Sequence, residues 1–336
     1  MKTKRLGRTG LKVSEICLGT MTFGNQCDEP TSFAIMDTAW EAGVYFFDTA
    51  DVYPLGSTPE MRGRTEEFVG NWIKQRKRRD QLVLATKVRG AMGEGPNDVG
   101  LSRKHIMAAI DDSLRRLQTD YIDLYQVHQP DPETPIEETL DALNDLVKAG
   151  KVRYIGCSNY QAHQLAKALW TSDKLGLARF ECDQPRYNIL YREIENEILP
   201  LCRQEGVGVI TYNPLAGGFL TGRYKTGQDV QQGTRFSLYQ AGKLYQNRYW
   251  QEAQFLAVEG LQRYFEQRNR SLAQVALAWV LAQPGVTSAI LGASRPEQLK
   301  ETLPAVDLKI DQEEMDTANE VWFNLPRLRD PGVALR

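Results

Sequence analysis

The chain has 336 residues, 42% hydrophobic and 25% charged, with a formal net charge of -2. That length admits two domains or one large α/β barrel, and the near balance of charge, with no basic surplus or stripe, argues against a nucleic-acid binder. Five scattered cysteines (Cys17, Cys27, Cys157, Cys182, Cys202) without a C-x-x-C pair point to reduced thiols. No charged and then apolar leader opens the chain and no apolar stretch is long enough to span a bilayer, so a cytoplasmic protein is expected.

Residues 6–13 come first, and Arg8-Thr9-Gly10-Leu11 reads as a hairpin turn capping the bottom of a barrel. Eight strand-like runs follow, at 16–20, 45–48, 82–87, 121–128, 152–158, 180–184, 207–213 and 287–291. The first seven are separated by roughly 25–40 residues, the size of a βα unit with its crossover helix. Eight such units close into a (β/α)8 barrel, and one barrel domain over 1–336 is the expected organisation.

The helices between them have readable faces and ends. Phe68, Val69, Trp72 and Ile73 mark one face of an early helix, followed by the basic run Lys74-Gln75-Arg76-Lys77-Arg78-Arg79. That run suits a solvated helix C-terminus better than a phosphate patch. Ser102 is a plausible cap for the helix carrying Ile106, Ile110, Leu114 and Leu117. Thr134-Pro135-Ile136-Glu137 reads as a capping box with proline at the first helical position, and Gly150 as the stop of that helix. Leu272, Val275, Ala276, Trp279 and Val280 mark the last barrel helix, and Met315, Ala318, Val321 and Trp322 a further C-terminal one before an irregular tail. Two stretches depart from the repeat. Residues 91–100 are glycine-rich, and 214–270 form a long insertion after the seventh strand, where a binding loop or lid over the catalytic face is expected.

Strand ends carry the chemistry in such a barrel. Asp48 closes the second run with Tyr53 just beyond it, Lys87 closes the third, and His128 closes the fourth. A phenol is normally too weak an acid, with a pKa of about 10, but an ammonium beside it stabilises phenolate and lowers that value. Lys87 can be this ammonium, with Asp48 keeping it charged and fixed. His128 can hydrogen-bond a substrate oxygen or help relay a proton. Tyr53 then becomes a general acid toward a forming oxyanion. Taken singly, Asp48 reads as a cap or turn residue, Tyr53 as packing and His128 as a satisfied histidine. An unpaired buried Lys87 would be costly, and the four in order on strands two to four favour function.

With those residues in view, a family resemblance is plain. Residues 4–24, with Arg5-Leu6-Gly7-Arg8-Thr9-Gly10-Leu11 and Leu18-Gly19-Thr20-Met21, are similar to an aldo-keto reductase amino terminus. Phe47-Asp48-Thr49-Ala50-Asp51-Val52-Tyr53 resembles the Asp/Tyr signature of that family, and Gly63-Arg64-Thr65-Glu66, Gly150-Lys151-Val152-Arg153 and Gly156-Cys157-Ser158-Asn159 extend the match. The chain most resembles the branch of bacterial general reductases and potassium-channel beta-subunit-like proteins. The resemblance implies Tyr53 as proton donor, with Asp48, Lys87 and His128 as its partners.

Carbonyl reduction needs a hydride source that these side chains cannot supply. No G-x-G-x-x-G is present; Gly93-Glu94-Gly95 fails at Asp98, so a doubly wound dinucleotide domain is not supported. The resemblance implies instead a nicotinamide cofactor extended across the barrel mouth. Ser158, Asn159 and Gln184 would meet its carboxamide, and Tyr212 would stack on the ring. Asn213, Pro214, Leu215 and Gly217 would follow the pyrophosphate and Arg223 would neutralise it; Thr20, Met21, Asp48 and Arg235 belong to the same implied set. The segment Leu291 to Gln298, including Gly292, Ser294, Arg295 and Gln298, resembles the adenosine-phosphate segment, which continues to Glu301 and Thr302. The family usually has Glu-Asn where this chain has Glu301-Thr302. Arg223, Ser294 and Arg295 suit a 2′-phosphate, favouring NADPH over NADH.

No metal site is expected, because His105, His128 and His163 are too dispersed, and Cys157 reads as barrel packing rather than a nucleophile. The leading expectation is NADPH-dependent reduction of a small-molecule aldehyde or ketone. A cofactor-binding, redox-reporting regulatory subunit is the second reading, and an NAD(P)-linked sugar or alcohol dehydrogenase the third. No long partner-blocking amino-terminal segment is recognisable, and no protein or membrane partner is evident. Substrate choice falls to 21–30, 91–100, 236–250 and the tail, where Phe23, Phe236, Tyr239, Tyr245, Tyr249 and Trp250 suggest small, aromatic or sugar-like carbonyls.

Overall fold

The structure is a computed structural model that describes residues 1–56 and 58–327, apart from the side chains of Tyr239 and Gln240. The chain opens with a two-stranded antiparallel hairpin, β1 (Thr3–Arg5) and β2 (Lys12–Ser14). Eight parallel strands follow: β3 (Ile16–Gly19), β4 (Phe46–Asp48), β5 (Val83–Val88), β6 (Ile122–Val127), β7 (Val152–Ser158), β8 (Phe180–Gln184), β9 (Gly208–Thr211) and β10 (Val286–Gly292). They close into one barrel in sequence order, β10 pairing with β3. All eight runs expected from the sequence are strands, and 152–158 and 180–184 match to the residue. The other limits differ by one or two residues, because ladder hydrogen bonding and the apolar pattern do not end at the same residue.

Crossover helices α1 (Glu29–Glu41), α2 (Arg64–Arg76), α3 (Arg103–Leu117), α4 (Ile136–Lys148), α5 (Ala162–Leu175) and α6 (Ile198–Glu205) surround the barrel. The insertion after β9 contributes α7 (Tyr239–Tyr249) and α8 (Glu252–Glu266), and α9 (Leu272–Ala282) leads into β10. The helices α10 (Pro296–Thr302) and α11 (Gln312–Asn324) complete the described chain, and the tail beyond residue 327 lies outside it.

Side chains alternate in and out along each strand, which stacks the barrel interior in layers. Leu6 and Val13 of the hairpin plug the N-terminal end against Cys17, Phe46, Val83, Ala85, Leu124, Cys182, Ile210 and Ile290. Two residues further along five of these chain segments, the inward positions hold Asp48, Lys87, Gln126, Gln184 and Tyr212. The apolar plug therefore ends where the polar layer begins, at the C-terminal mouth. Arg8 N donates to the Gly206 carbonyl at 2.7 Å, fixing the hairpin cap across the bottom as the turn signal predicted.

Helix ends followed the sequence in part. Ser102 accepts from His105 N at 3.3 Å, and Gly150 takes a left-handed φ of 72° after α4. The capping box expected at Thr134 is absent, because the Thr134 hydroxyl donates to Asp131 Oδ2 at 2.8 Å and Pro135 stands at the cap. Reciprocal boxes occur instead at Gln161 with Gln164 and at Asp311 with Glu314. The basic run behaves as a helix end: Lys74 and Lys77 are exposed, while Arg79 is drawn in to pair with Asp123 at 2.9 Å.

One helical glycine is set by packing. A Cβ at Gly70 of α2 would lie 2.2 Å from the Arg116 carbonyl oxygen of α3. Helix propensity alone favours alanine by about 1 kcal/mol. Gly70→Ala is nonetheless expected to destabilise by about 2 kcal/mol, because a backbone carbonyl cannot move aside. Thermal melting should show a fall of about 4 °C; a rise would mean the helices separate freely.

Candidate active site

The four predicted residues converge at the C-terminal mouth. Lys87 is fully buried on β5, and its ammonium pairs with Asp48 Oδ2 and donates to the Thr49 carbonyl at 2.8 Å. It lies 5.1 Å from the centroid of the Tyr53 ring. The Tyr53 and His128 rings meet edge to face at 5.7 Å. Tyr53 reaches this place because the loop after β4 is pinned: Thr49 N donates to Ala85 O, Asp51 N to Lys87 O and Gly63 N to Tyr53 O, at 2.9–3.1 Å.

Electrostatics refine the expectation for each group. Burial opposes the Lys87 charge, but the Asp48 carboxylate and the Tyr53 phenol outweigh it and raise its pKa above the usual lysine value. Burial also pushes the Tyr53 phenol up, while Lys87 lowers it by charge and hydrogen bonding; the net direction is upward. The sequence reading expected a lowered phenol, and burial together with the Asp48 charge reverses that sign. Tyr53 therefore holds its proton through neutral pH, the state a proton donor needs. His128 is held well below its ordinary value by burial, then by Lys87 and Arg89. It is a neutral imidazole near pH 7, able to donate one N–H rather than to act as an imidazolium.

Asp48 is itself fixed from the far side. Gln126 Nε2 and Gln184 Nε2 donate to its Oδ1 at 3.1 and 2.9 Å, and Gln184 Nε2 also approaches Gln126 Oε1 at 3.1 Å. Gln126 was not among the sequence candidates. A signal existed: it is a polar residue inside an apolar strand, two positions before His128 and so on the same inward face.

The residues assigned by resemblance to the carboxamide cluster beside His128. Ser158 Oγ donates to the Gln184 carbonyl at 2.7 Å, Asn159 Nδ2 to the His128 carbonyl at 3.0 Å, and Tyr212 OH to Asn159 Oδ1 at 2.8 Å. Thr20 uses both its N–H and its hydroxyl on the Asp48 carbonyl, at 3.1 and 2.9 Å, so it holds the β4 loop. The Met21 carbonyl accepts from Leu55 N at 3.1 Å in the same loop pair.

The turn from Asn213 through Pro214 and Leu215 to Gly217 follows β9, and it is strained. Asn213 and Gly217 have φ of 61° and 71°. Tyr245 of α7 packs on Gly217, where a Cβ would meet its ring at 2.7 Å, and its hydroxyl donates to Asn213 Oδ1 at 3.1 Å. Arg235 donates to that same hydroxyl at 3.3 Å. The insertion is thereby anchored at the mouth.

Its aromatic residues do not line an open pocket, however. Phe236 and Trp250 join Phe219, Tyr224 and Phe255 in a packed cluster, Tyr249 is 1% exposed and Phe23 is fully buried. Phe236, Tyr249 and Trp250 pack within the insertion and Phe23 within the loop after β3; the Tyr239 side chain lies outside the described residues.

The buried Asn213 Nδ2 has no hydrogen-bond partner among the described residues, a donor left for a ligand oxygen. Arg223 bonds to the Tyr224 hydroxyl and stays exposed, and Arg295 is exposed without a carboxylate partner among the described residues. Gly292 ends β10 exposed, and a Cβ there would crowd the Gly19 carbonyl oxygen at 3.3 Å. Ser294 N and Oγ both donate to Gln298 Oε1, at 2.8 and 3.3 Å. The Thr302 hydroxyl donates to the Gln298 carbonyl at 2.8 Å, and Glu301 is exposed. The uncommitted Asn213 donor, the exposed guanidinium groups of Arg223 and Arg295 and the left-handed glycine turn suit an extended phosphate-bearing ligand. Among the described residues no cluster of metal ligands occurs, all five cysteines are buried and free, and no helix is long and apolar enough to cross a membrane.

Comparison with known proteins bears on this site. The sequence pattern of the Aldo/keto reductase family matches residues 15–322. The chain is 40% identical to "Uncharacterized oxidoreductase YrpG" of Bacillus subtilis, over 96% of both chains. It is 40% identical to "Probable voltage-gated potassium channel subunit beta" of Arabidopsis thaliana over 92% of both. It is 36% identical to "Protein tas" of Escherichia coli, over 96% of this chain and 99% of that one.

Proposed function

Because the chain belongs to the aldo/keto reductase family, we propose that it reduces aldehydes or ketones to alcohols with NADPH, taking the proton from Tyr53. The observation that carries this reading is the buried Asp48–Lys87 pair set against a protonated Tyr53 at the barrel mouth. A bound nicotinamide cofactor would supply the hydride. The chain's own work is to hold the substrate oxygen between the Tyr53 hydroxyl and a neutral His128 N–H. As negative charge grows on that oxygen, Tyr53 gives up its proton and Lys87 stabilises the phenolate left behind.

Ser158, Asn159, Gln184 and Tyr212 would hold the nicotinamide end, and the Asn213 to Gly217 turn with Arg223 and Arg235 the pyrophosphate. Gly292, Ser294 and Arg295 would hold the adenosine phosphate. The exposed Arg295 favours the 2′-phosphate of NADPH. We also read residues 1–336 as one barrel domain acting in the cytoplasm on a small-molecule carbonyl.

The channel-subunit relative keeps a second reading in view, a redox-reporting subunit. One assay separates them. The purified chain with benzaldehyde or butanal should consume NADPH steadily, followed by loss of reduced-cofactor absorbance, and at least about tenfold faster than NADH at equal concentration. Binding of NADPH without sustained turnover would favour the regulatory reading, and no binding would end both.

A further inference from the structure

We propose that Gln126 is a positioning residue for proton donation, holding Asp48 so that its other oxygen faces Lys87. The inference rests on the reading of Tyr53 and Lys87 given above and adds a fifth side chain that the reading does not use.

The geometry is specific. Gln126 is fully buried on β6, at the inward position next to Lys87 in the β5–β6 register. Its amide spans two partners, donating through Nε2 to Asp48 Oδ1 at 3.1 Å and accepting at Oε1 from Gln184 Nε2 at 3.1 Å. Asp48 Oδ1 thus takes two amide donors and Oδ2 takes the ammonium. The barrel also makes room for this side chain. Gly156 is its neighbour across β7, and a Cβ there would lie 3.3 Å from Gln126 Cγ and 2.9 Å from the Cys182 carbonyl oxygen.

A buried amide in a barrel interior needs both of its partners, and a leucine would fill the same volume without them. The arrangement has a consequence for charge. Two donors spread the Asp48 charge away from Tyr53, which Asp48 otherwise pushes toward a weaker acid. Without Gln126 the carboxylate keeps Gln184 and Lys87 but loses one of its two amide donors, so it is held less tightly, its charge is less shared and Tyr53 becomes a poorer donor.

Gln126→Glu gives the decisive test, because the two protonation states of the introduced carboxyl imitate and oppose the native contact. In its neutral state that carboxyl reproduces both hydrogen bonds, its O–H donating to Asp48 and its carbonyl accepting from Gln184. In its ionised state it sets a second carboxylate against Asp48 and donates nothing. Burial and the Asp48 charge raise its folded pKa above the unfolded value of about 4.3. The Lys87 ammonium in the neighbouring strand acts the other way, but it is already paired with Asp48. Stability relative to the native chain is therefore fully present at low pH and is lost as pH rises through the folded pKa.

Two readouts are taken between about pH 5 and pH 8. The difference in melting temperature between Gln126→Glu and the native chain should widen with pH, which reports the Asp48 contact without any turnover. The ratio of their kcat values for benzaldehyde with NADPH should fall about tenfold over the same range. Gln126→Leu should lower kcat by roughly ten- to a hundredfold at all these pH values. Its NADPH Kd, from quenching of protein fluorescence, should stay within about threefold.

A kcat ratio that is flat with pH overturns the inference, whether or not the melting temperatures move. So does a Gln126→Leu enzyme with native kcat. If Gln126→Leu does not fold, the Gln126→Glu series decides alone. Tyr53→Phe assayed in parallel tells the two failures apart: retained turnover there sinks the reading of Tyr53, whereas its loss beside a flat Gln126→Glu ratio sinks only the role of Gln126.

Discussion

Tyr53→Phe is expected to cut turnover roughly a thousandfold, within the range assigned to a lost general acid. NADPH affinity should stay within about twofold. The substitution removes one hydroxyl and keeps the ring, so the edge contact with His128 at 5.7 Å and the approach of Lys87 to the ring at 5.1 Å can persist. What goes is the proposed proton donor. The neutral His128 N–H remains but cannot replace it, because burial and the charges of Lys87 and Arg89 hold its pKa well below the ordinary histidine value.

The pH dependence carries the sign. The proposed reduction needs the protonated phenol, and burial raises the pKa of that phenol above its usual value. Activity should therefore hold through neutral pH and fall only as pH rises past the ordinary phenol range of about 10. Stopped-flow hydride transfer, which isolates chemistry from cofactor release, is the measurement. A Tyr53→Phe enzyme with the native single-turnover rate would remove the phenol from the mechanism.

Lys87→Met should be nearly as damaging, and it should also weaken the fold. Lys87 is fully buried, and its ammonium is the counter-charge of the buried Asp48. Removing one partner of a buried ion pair leaves the other uncompensated, a loss of about 3–5 kcal/mol. Gln126 and Gln184 still donate to Asp48, so the lower end of that range is expected.

In catalysis the substitution removes the one strong influence that lowers the Tyr53 pKa, leaving burial and the Asp48 charge to raise it further. The donor becomes weaker, kcat drops by about a hundredfold or more, and the alkaline limb of the pH profile moves to higher pH. A change confined to melting temperature, with kcat preserved, would assign Lys87 to structure alone.

How far the sequence could be read varies along the chain. Parallel barrel strands are buried on both faces, so each announces itself as a short apolar run, and all eight were visible. The four candidate residues at the mouth were visible because Lys87 and Asp48 make no sense in such runs unless they are paired. The sign of the Tyr53 shift was not. It depends on whether burial or the Lys87 charge dominates, and that balance is fixed by contacts from strands far apart in sequence. The burial of Phe236 was hidden for a similar reason: a Phe236 packed on Phe219 and a Phe236 open to substrate look the same in one dimension. The capping box at Thr134 failed because Asp131, three residues earlier, competes for the hydroxyl.

By itself the sequence determined the barrel, the order of its strands and the identity of the groups at its mouth, because periodicity and strand-end residue type are local properties of the chain. Only the tertiary structure decided how Asp48 is held, with Gln126 and Gln184 arriving from strands 78 and 136 residues away. Closure of the sheet brings those amides onto one carboxylate. Hydrogen bonding and burial act through space, so the contacts that set the charge and orientation of the site leave little trace in residue order.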